Sequence, residues 1–239
     1  MITDARVLRE EFIPREVVHR QSQIQSLAGT LRPLVEEQKG ENSLLYGPPG
    51  TGKTCISQYT LDQLAEENLD LQYKYVNCWE NYNRFRVLYK ALEGVGRTLD
   101  VHRQSTPTDE LMSRLREYSD RPYVLILDEV DQLEDERVLY DLYSMPNVTL
   151  VMIANKQTAL HNMDDRVRSR LMDARRIEFD AYNVDELEDI VADRVEWGMR
   201  PDAIGSSEVR KIALSAEGDA RIAIGILRNA ARQAQEKDL

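Results

Sequence analysis

The 239-residue chain is poor in cysteine, in histidine and in long apolar runs, and it lacks an excess of positive charge. Its two cysteines, Cys55 and Cys78, form no CxxC pair and have no histidine-rich neighbourhood, which excludes a disulfide framework and a zinc site of the common spacings. No stretch approaches the roughly 20 apolar residues that a membrane span needs. The opening residues "MITDARVLREEF" mix acids with bases around no apolar core, so they read as neither a signal nor a transit peptide. A cytoplasmic protein is expected. Against 42 acidic residues stand only 31 lysines and arginines, and the formal net charge is -11. That balance excludes a generally adhesive binder of nucleic acid, because phosphate contact depends on Lys and Arg, and it confines any such contact to a local basic patch. No repeat, low-complexity tract or Pro/Ser-rich linker is present.

What is present is an alternation. "NSLLYG", "LQYKYVNC", "YVLILDEV" and "VTLVMIAN" are short strand-like runs, each followed by a helical or irregular stretch. This pattern predicts an α/β fold with a parallel sheet between helices, and a run as continuously apolar as "YVLIL" suits a strand buried on both faces. From about Ala181 the strands stop. "VDELEDIVADRVEW" places Leu187, Ile190, Val191 and Val195 on one helical face, and the final stretch does the same for Ala223, Ile226, Leu227, Ala230, Ala231 and Ala234. An α/β base over residues 1–180, with residues 1–22 leading in, and a small all-helical domain over 181–239 are therefore expected.

The chemistry is concentrated at the ends of strands. "LLYGPPGTGKTC" follows a strand, opens a helix and fits G-x-x-x-x-G-K-[ST]. Gly47, Pro48, Pro49, Gly50, Thr51 and Gly52 would wrap backbone N–H groups around phosphate oxygens, and the helix that begins near Lys53 would add its positive end, with Cys55 in its first turn. Lys53 would reach the β- and γ-phosphates, and the Thr54 hydroxyl would ligate Mg²⁺. The second apolar run ends in "LILDEVDQL", which offers Asp128 to the Mg²⁺ shell and Glu129 to polarise a water. The third ends in Asn155, a neutral amide that could orient that water or contact the γ-phosphate. Together these imply ATP or ADP with Mg²⁺ as ligands and ATP hydrolysis as the reaction.

"GPPGTGKT", "LILDEVD", the strand-ending Asn155 and "GDAR" at Gly218 to Arg221 resemble the AAA+ ATPases in order and spacing over nearly the whole chain. "FIPREVVHRQSQIQSLAGTLRP" and "YVNCWENYNRFRVLYKALEGVG" narrow the resemblance to the archaeal replication initiators of the origin-recognition (Orc/Cdc) family. The resemblance implies a five-stranded parallel AAA+ base followed by a helical lid. It also implies that His19 and Arg20 lie beside the adenine and that Arg221 is the lid's sensor arginine. Neighbouring AAA+ subunits, a full-length initiator, origin duplex DNA and a replicative helicase become the expected partners, without a membrane.

"DDRVRSRLMDARR" crowds five arginines into an acidic chain. A solvated helix face is one reading. The resemblance implies another: an arginine presented to the γ-phosphate of a neighbouring subunit, with Arg170 of the Ser-Arg pair first and Arg166, on the same face, second. DNA contact after the "VNC" strand would use Arg84, Arg86 and Lys90, although an ordinary amphipathic helix explains the same residues. Family members continue with a winged-helix DNA-binding domain where this sequence stops, so a truncated piece and a short paralogue both remain open. The leading functional expectation is a slow ATPase switch of replication initiation. The alternatives are an accessory nucleotide-binding paralogue that regulates a full-length initiator without touching DNA, and a clamp-loader-like ATPase. The acid excess with arginine favoured over lysine resembles proteins of salt-rich cytoplasm.

Overall fold

Where the apolar runs fall decides the architecture. The computed structural model describes residues 1–67, 71–99, 101–102, 105–118 and 121–237, the side chains of 160–162 excepted. Among these residues are five strands: β1 (Ser43–Tyr46), β2 (Gln72–Asn77), β3 (Tyr123–Asp128), β4 (Val148–Ala154) and β5 (Arg175–Glu178). The helices, in chain order, are α1 (Gln21–Leu31), α2 (Lys53–Glu67), α3 (Arg84–Gly94), α4 (Thr108–Arg116), α5 (Arg137–Tyr143), α6 (Asp165–Leu171), α7 (Val184–Gly198), α8 (Ser206–Ser215) and α9 (Ala220–Glu236). The chain divides into two units, one of residues 1–22, 47–56 and 179–239, the other of residues 23–46 and 57–178.

The second of these holds the sheet, in the order β2-β3-β4-β1-β5 with every pairing parallel. All residues of β3 and β4 are buried, the result expected of uninterrupted apolar strands. Because side chains alternate across a strand, Leu44, Leu125, Leu127, Leu150 and Met152 share one face, where they cluster with Leu88 and Leu92 of α3, Leu111 and Leu115 of α4, Leu142 of α5 and Val167 of α6. The intervening Leu45, Ile126, Val151 and Ile153 are buried as well, so both faces of the sheet are covered. Each such side chain contributes about 1.5–3 kcal/mol relative to exposure. The fifth strand carries only one buried residue, Ile177, in the sequence "RRIE", and its pairing beside β1 is what makes it a strand. A four-residue edge strand with that pattern has no periodicity to announce it.

The other unit is helical. A capping box starts α7: the Asn183 side chain accepts from the Glu186 N–H at 2.9 Å, and the Glu186 carboxylate accepts from the Asn183 N–H at 2.8 Å. Leu187 and Val191 of α7 pack with Ile212 and Ala213 of α8 and with Ala223, Leu227 and Ala231 of α9. The buried stripe of α9 takes Ile224 and leaves Ala230 exposed, so it lies slightly to one side of the face read from sequence. Residues 1–22 pack here too. Ile2 bridges Met199 in antiparallel fashion, Leu8 enters the helical core, and Arg194 of α7 donates to the carbonyls of Val7 and Phe12, each at 3.1 Å.

Candidate nucleotide-binding site

The loop between β1 and α2 is shaped by glycine. Gly47, Gly50 and Gly52 have φ of 148°, 69° and 91°, a region L-residues rarely adopt. Space forbids side chains there as well. A Cβ on Gly47 would run into the Phe179 carbonyl, one on Gly50 into the Asp219 carboxylate, and one on Gly52 would sit 2.8 Å from the Tyr182 hydroxyl. The Lys53 ammonium is buried and donates to the carbonyl oxygens of Gly47 at 2.7 Å and Pro48 at 2.6 Å. The Thr51 hydroxyl donates to the Pro48 oxygen at 2.9 Å, which tightens the turn. A glycine-bent backbone, a buried ammonium and the first turn of α2 form a cationic cradle, and its chemistry fits a polyphosphate. Thr54 and Cys55 occupy the first turn, where desolvation pushes the Cys55 thiol up to about 11 and keeps it neutral.

The loop is clamped within its own unit. Arg20 is only 4% exposed. Its guanidinium donates to the Thr51 carbonyl at 3.1 Å and to the Asp180 carbonyl at 2.7 Å, and it lies 3.9 Å above the Tyr182 ring. On the other side, the Ala220 N–H donates to the Gly50 carbonyl at 3.0 Å. His19, with φ of 62°, meets Asp189 of α7 at 2.8 Å. Asp219 caps α9 by accepting from the Arg221 N–H at 2.8 Å, and the Arg221 guanidinium stays half exposed, 3.5 Å from the same carboxylate. Sequence reasoning did not single out Tyr182 or Asp180, read Thr51 as part of the phosphate loop and not as an acceptor for Arg20, and quoted Asp219 within "GDAR" without assigning it a role. Only the Asp before "AR" carried a local signal, as a helix N-cap.

The acidic strand end belongs to the sheet unit. Asp128 is buried, and its two oxygens are each held: the Tyr75 hydroxyl donates to Oδ2 at 3.0 Å and the Glu129 N–H to Oδ1 at 2.9 Å. Burial and the nearby Asp128 charge push the Tyr75 phenol well above its ordinary range, which keeps it a donor. Glu129 takes the left-handed conformation, φ 57° and ψ 47°, at a cost of about 1–3 kcal/mol that proteins tolerate mainly at functional positions. Asn155 follows β4 and is exposed, lining a cavity of about 510 Å³ with Asp131, Lys156 and Met163. Since β3, β4 and β1 are adjacent and parallel, Asp128, Ala154 and Tyr46 end at one edge of the sheet, the edge where ligands of open α/β sheets bind.

The structure divides the arginine-rich run in two. Arg166, Arg168 and Arg170 belong to α6, capped by Asp164, and Arg175 and Arg176 belong to β5. Val167 and Leu171 face the core, as the helical reading required. Arg166 is exposed and Arg168 pairs with Asp165. Arg170 stacks 4.6 Å over the Tyr140 ring and donates to its hydroxyl at 3.2 Å. The three cations considered for DNA each have an intramolecular partner. Arg84 pairs with Asp141 at 2.9 Å and Asp109 at 3.4 Å, Arg86 donates to the Glu80 carbonyl at 3.0 Å, and Lys90 meets Glu93 at 2.9 Å. Among the described residues, no group of three or more His, Cys, Asp or Glu is arranged to hold a metal, and no helix is long and apolar enough to cross a membrane. In the sheet unit, the single carboxylate of Asp128 has the hard oxygen chemistry of a Mg²⁺ ligand, an ion that usually takes one or two carboxylates and completes its shell with phosphate and water.

Comparison with known proteins agrees with this geometry. Residues 36–161 match the family model described as an AAA domain, and residues 188–239 match the Cdc6 AAA+ ATPase-type lid domain. ORC1-type DNA replication protein 1 of Halobacterium salinarum is 53% identical over 99% of this chain and 77% of its own length. ORC1-type DNA replication protein 9 of the same organism is 48% identical over 99% of this chain and 67% of its own length. The solved Aeropyrum pernix ORC1 protein, determined in complex with DNA, superposes with a TM-score of 0.90 at 28% identity, covering 99% of this chain and 65% of that one. With an AAA domain, a Cdc6-type lid and these relatives, the chain belongs to the ORC1-type DNA replication initiators of the AAA+ ATPase family.

Proposed function

We propose that this chain is an ATP-driven switch of replication initiation, which binds ATP with Mg²⁺, hydrolyses it slowly and changes its partners with the nucleotide state. The observation that carries the reading is the Gly47–Thr54 loop, with its left-handed glycines and buried Lys53, in a chain of the AAA+ family. When bound, ATP supplies a phosphoanhydride bond and Mg²⁺ supplies charge neutralisation. The protein's own residues bind and orient. Lys53 would neutralise phosphate charge, the Thr54 hydroxyl and the Asp128 carboxylate would hold the cation, and Glu129 would accept hydrogen bonds from the attacking water, which Asn155 would help to orient.

Arg221 is assigned to sensing of the γ-phosphate by the lid, and Arg170, with Arg166 as the second candidate, to the nucleotide of a neighbouring subunit. His19 and Arg20 are assigned to the segment beside the adenine. Partners are a neighbouring AAA+ subunit or full-length initiator, duplex DNA and a replicative helicase, and the setting is the cytoplasm. The relatives' names and the DNA-bound Aeropyrum pernix structure support the replication setting. The domain division proposed is an AAA+ base over residues 1–180, with residues 1–22 leading in, and a helical lid over 181–239; the family-model matches at residues 36–161 and 188–239 support it.

A second reading, an accessory subunit that does not itself grip DNA, draws support from the intramolecular engagement of Arg84, Arg86 and Lys90. Two experiments test these readings. Lys53→Ala is expected to remove binding of a fluorescent ATP analogue, and unchanged affinity would end the P-loop reading. Fluorescence anisotropy of duplex DNA with ATP and with ADP, across a salt series, is expected to show ATP-favoured, salt-dependent binding; its absence in both states would select the accessory role.

A further inference from the structure

Tyr75 lies outside every motif that marks the nucleotide site, yet its hydroxyl donates to Asp128 Oδ2 at 3.0 Å. Strands β2 and β3 pair in parallel with Asn77 opposite Asp128 and Tyr75 opposite Ile126. Tyr75 therefore stands two residues back from Asn77, on the same face as the residue opposite Asp128, and the long phenol spans that offset to reach the carboxylate. The other carboxylate oxygen is held at 2.9 Å by the N–H of Glu129, whose backbone is left-handed. The two donors together fix the rotation of the carboxylate about its Cβ–Cγ bond. Each carboxylate oxygen can accept more than one hydrogen bond, so two donors do not by themselves exhaust the carboxylate as a ligand.

We propose that Tyr75 is a positioning residue for the Mg²⁺ that accompanies ATP, acting through Asp128 by fixing the direction of its carboxylate. This assignment rests on the reading of Asp128 as a cation ligand. The physical reason is general: an acidic ligand that must search its rotamers binds a cation less tightly than one already aimed, and donors behind metal ligands are worth about 10–100-fold in metal affinity. The same network has a second consequence, since the carboxylate that Tyr75 holds also anchors the Glu129 N–H at the turn where the neighbouring carboxylate leaves the strand.

The test is equilibrium binding of a fluorescent ATP analogue to the intact chain, titrated with MgCl₂ and repeated in EDTA, for wild type and Tyr75→Phe. The substitution removes one oxygen and keeps the ring. Tyr75→Phe is expected to raise the Mg²⁺ concentration at half-effect about tenfold while leaving affinity in EDTA unchanged. A half-effect concentration within about twofold of wild type would overturn the proposal, because that is below the range such donors contribute. Asp128→Asn and the double variant close the argument. Tyr75→Phe should add nothing in the Asp128→Asn background, whereas an equal further loss there would show that Tyr75 acts by another route. A wild-type protein whose ATP binding ignores Mg²⁺ would overturn the cation reading of Asp128 itself, an outcome distinct from a wild-type response that Tyr75→Phe leaves unaltered.

Discussion

Replacing Arg20 by methionine should destabilise the protein before any nucleotide is present. Methionine keeps the unbranched stem and removes the guanidinium, which donates to Thr51 and Asp180 and stacks on Tyr182. Net hydrogen bonds from a charged group are worth about 1.5–3 kcal/mol each. Part of this is offset, because the variant no longer has to bury a charge. Of the two carbonyls left behind, that of Thr51 is buried and that of Asp180 is partly buried, and the net expectation is a loss of about 2–4 kcal/mol. For a chain of this length that corresponds to a fall of about 5–10 °C in melting temperature. Arg20→Lys should recover little, since a single ammonium cannot reproduce a planar fork that addresses two acceptors and a ring. The assay is thermal unfolding of nucleotide-free protein, followed by the same scan with saturating ATP and Mg²⁺. If Arg20 worked solely by touching the adenine, the nucleotide-free variant would melt with wild type and differ only in its response to ATP. A nucleotide-free shift below about 1 °C would refute the clamp, since it corresponds to less than the worth of one weak hydrogen bond.

Gly47→Ala should cost more nucleotide affinity than Gly50→Ala, because the added Cβ meets the Phe179 backbone in the first case and the movable end of the Asp219 side chain in the second; equal affinities in a binding titration would contradict this. Glu129→Gln should bind ATP with affinity near wild type and lower turnover by at least about a hundredfold, the scale of a lost general base, as measured by phosphate release. Turnover at the wild-type rate would mean that another group positions the water. Arg170→Ala should leave the ATP affinity of the isolated chain unchanged and lower hydrolysis only at concentrations where subunits associate. An unaltered rate in the associated state would direct attention to Arg166.

The Gly47–Thr54 loop was legible in the sequence because its requirements are local: positive φ at fixed spacings, then a helix that starts at Lys53. The strands "YVLILD" and "VTLVMIA" were legible for a similar reason, since only burial on both faces sustains an uninterrupted apolar run. Helix caps at Asn183 and Asp219 also act within three residues of themselves. The arginine-rich run shows where such reading stops. Its helical half follows a period, but its last two arginines become β5 through pairing with β1, a partner more than a hundred positions away.

By itself, then, the sequence determined the phosphate cradle, the acidic strand end, the helical close of the chain and the family to which these belong. Tertiary structure alone decided which distant groups hold those parts in place. Arg20 meets carbonyls 31 and 160 residues further on, Tyr75 meets a carboxylate 53 residues away, and Arg194 ties α7 to Val7 and Phe12. Backbone conformation, capping and periodicity act over a few residues and so leave a mark in composition and spacing. A hydrogen bond between remote side chains leaves none, because its partners become neighbours only when the sheet and the helices have packed.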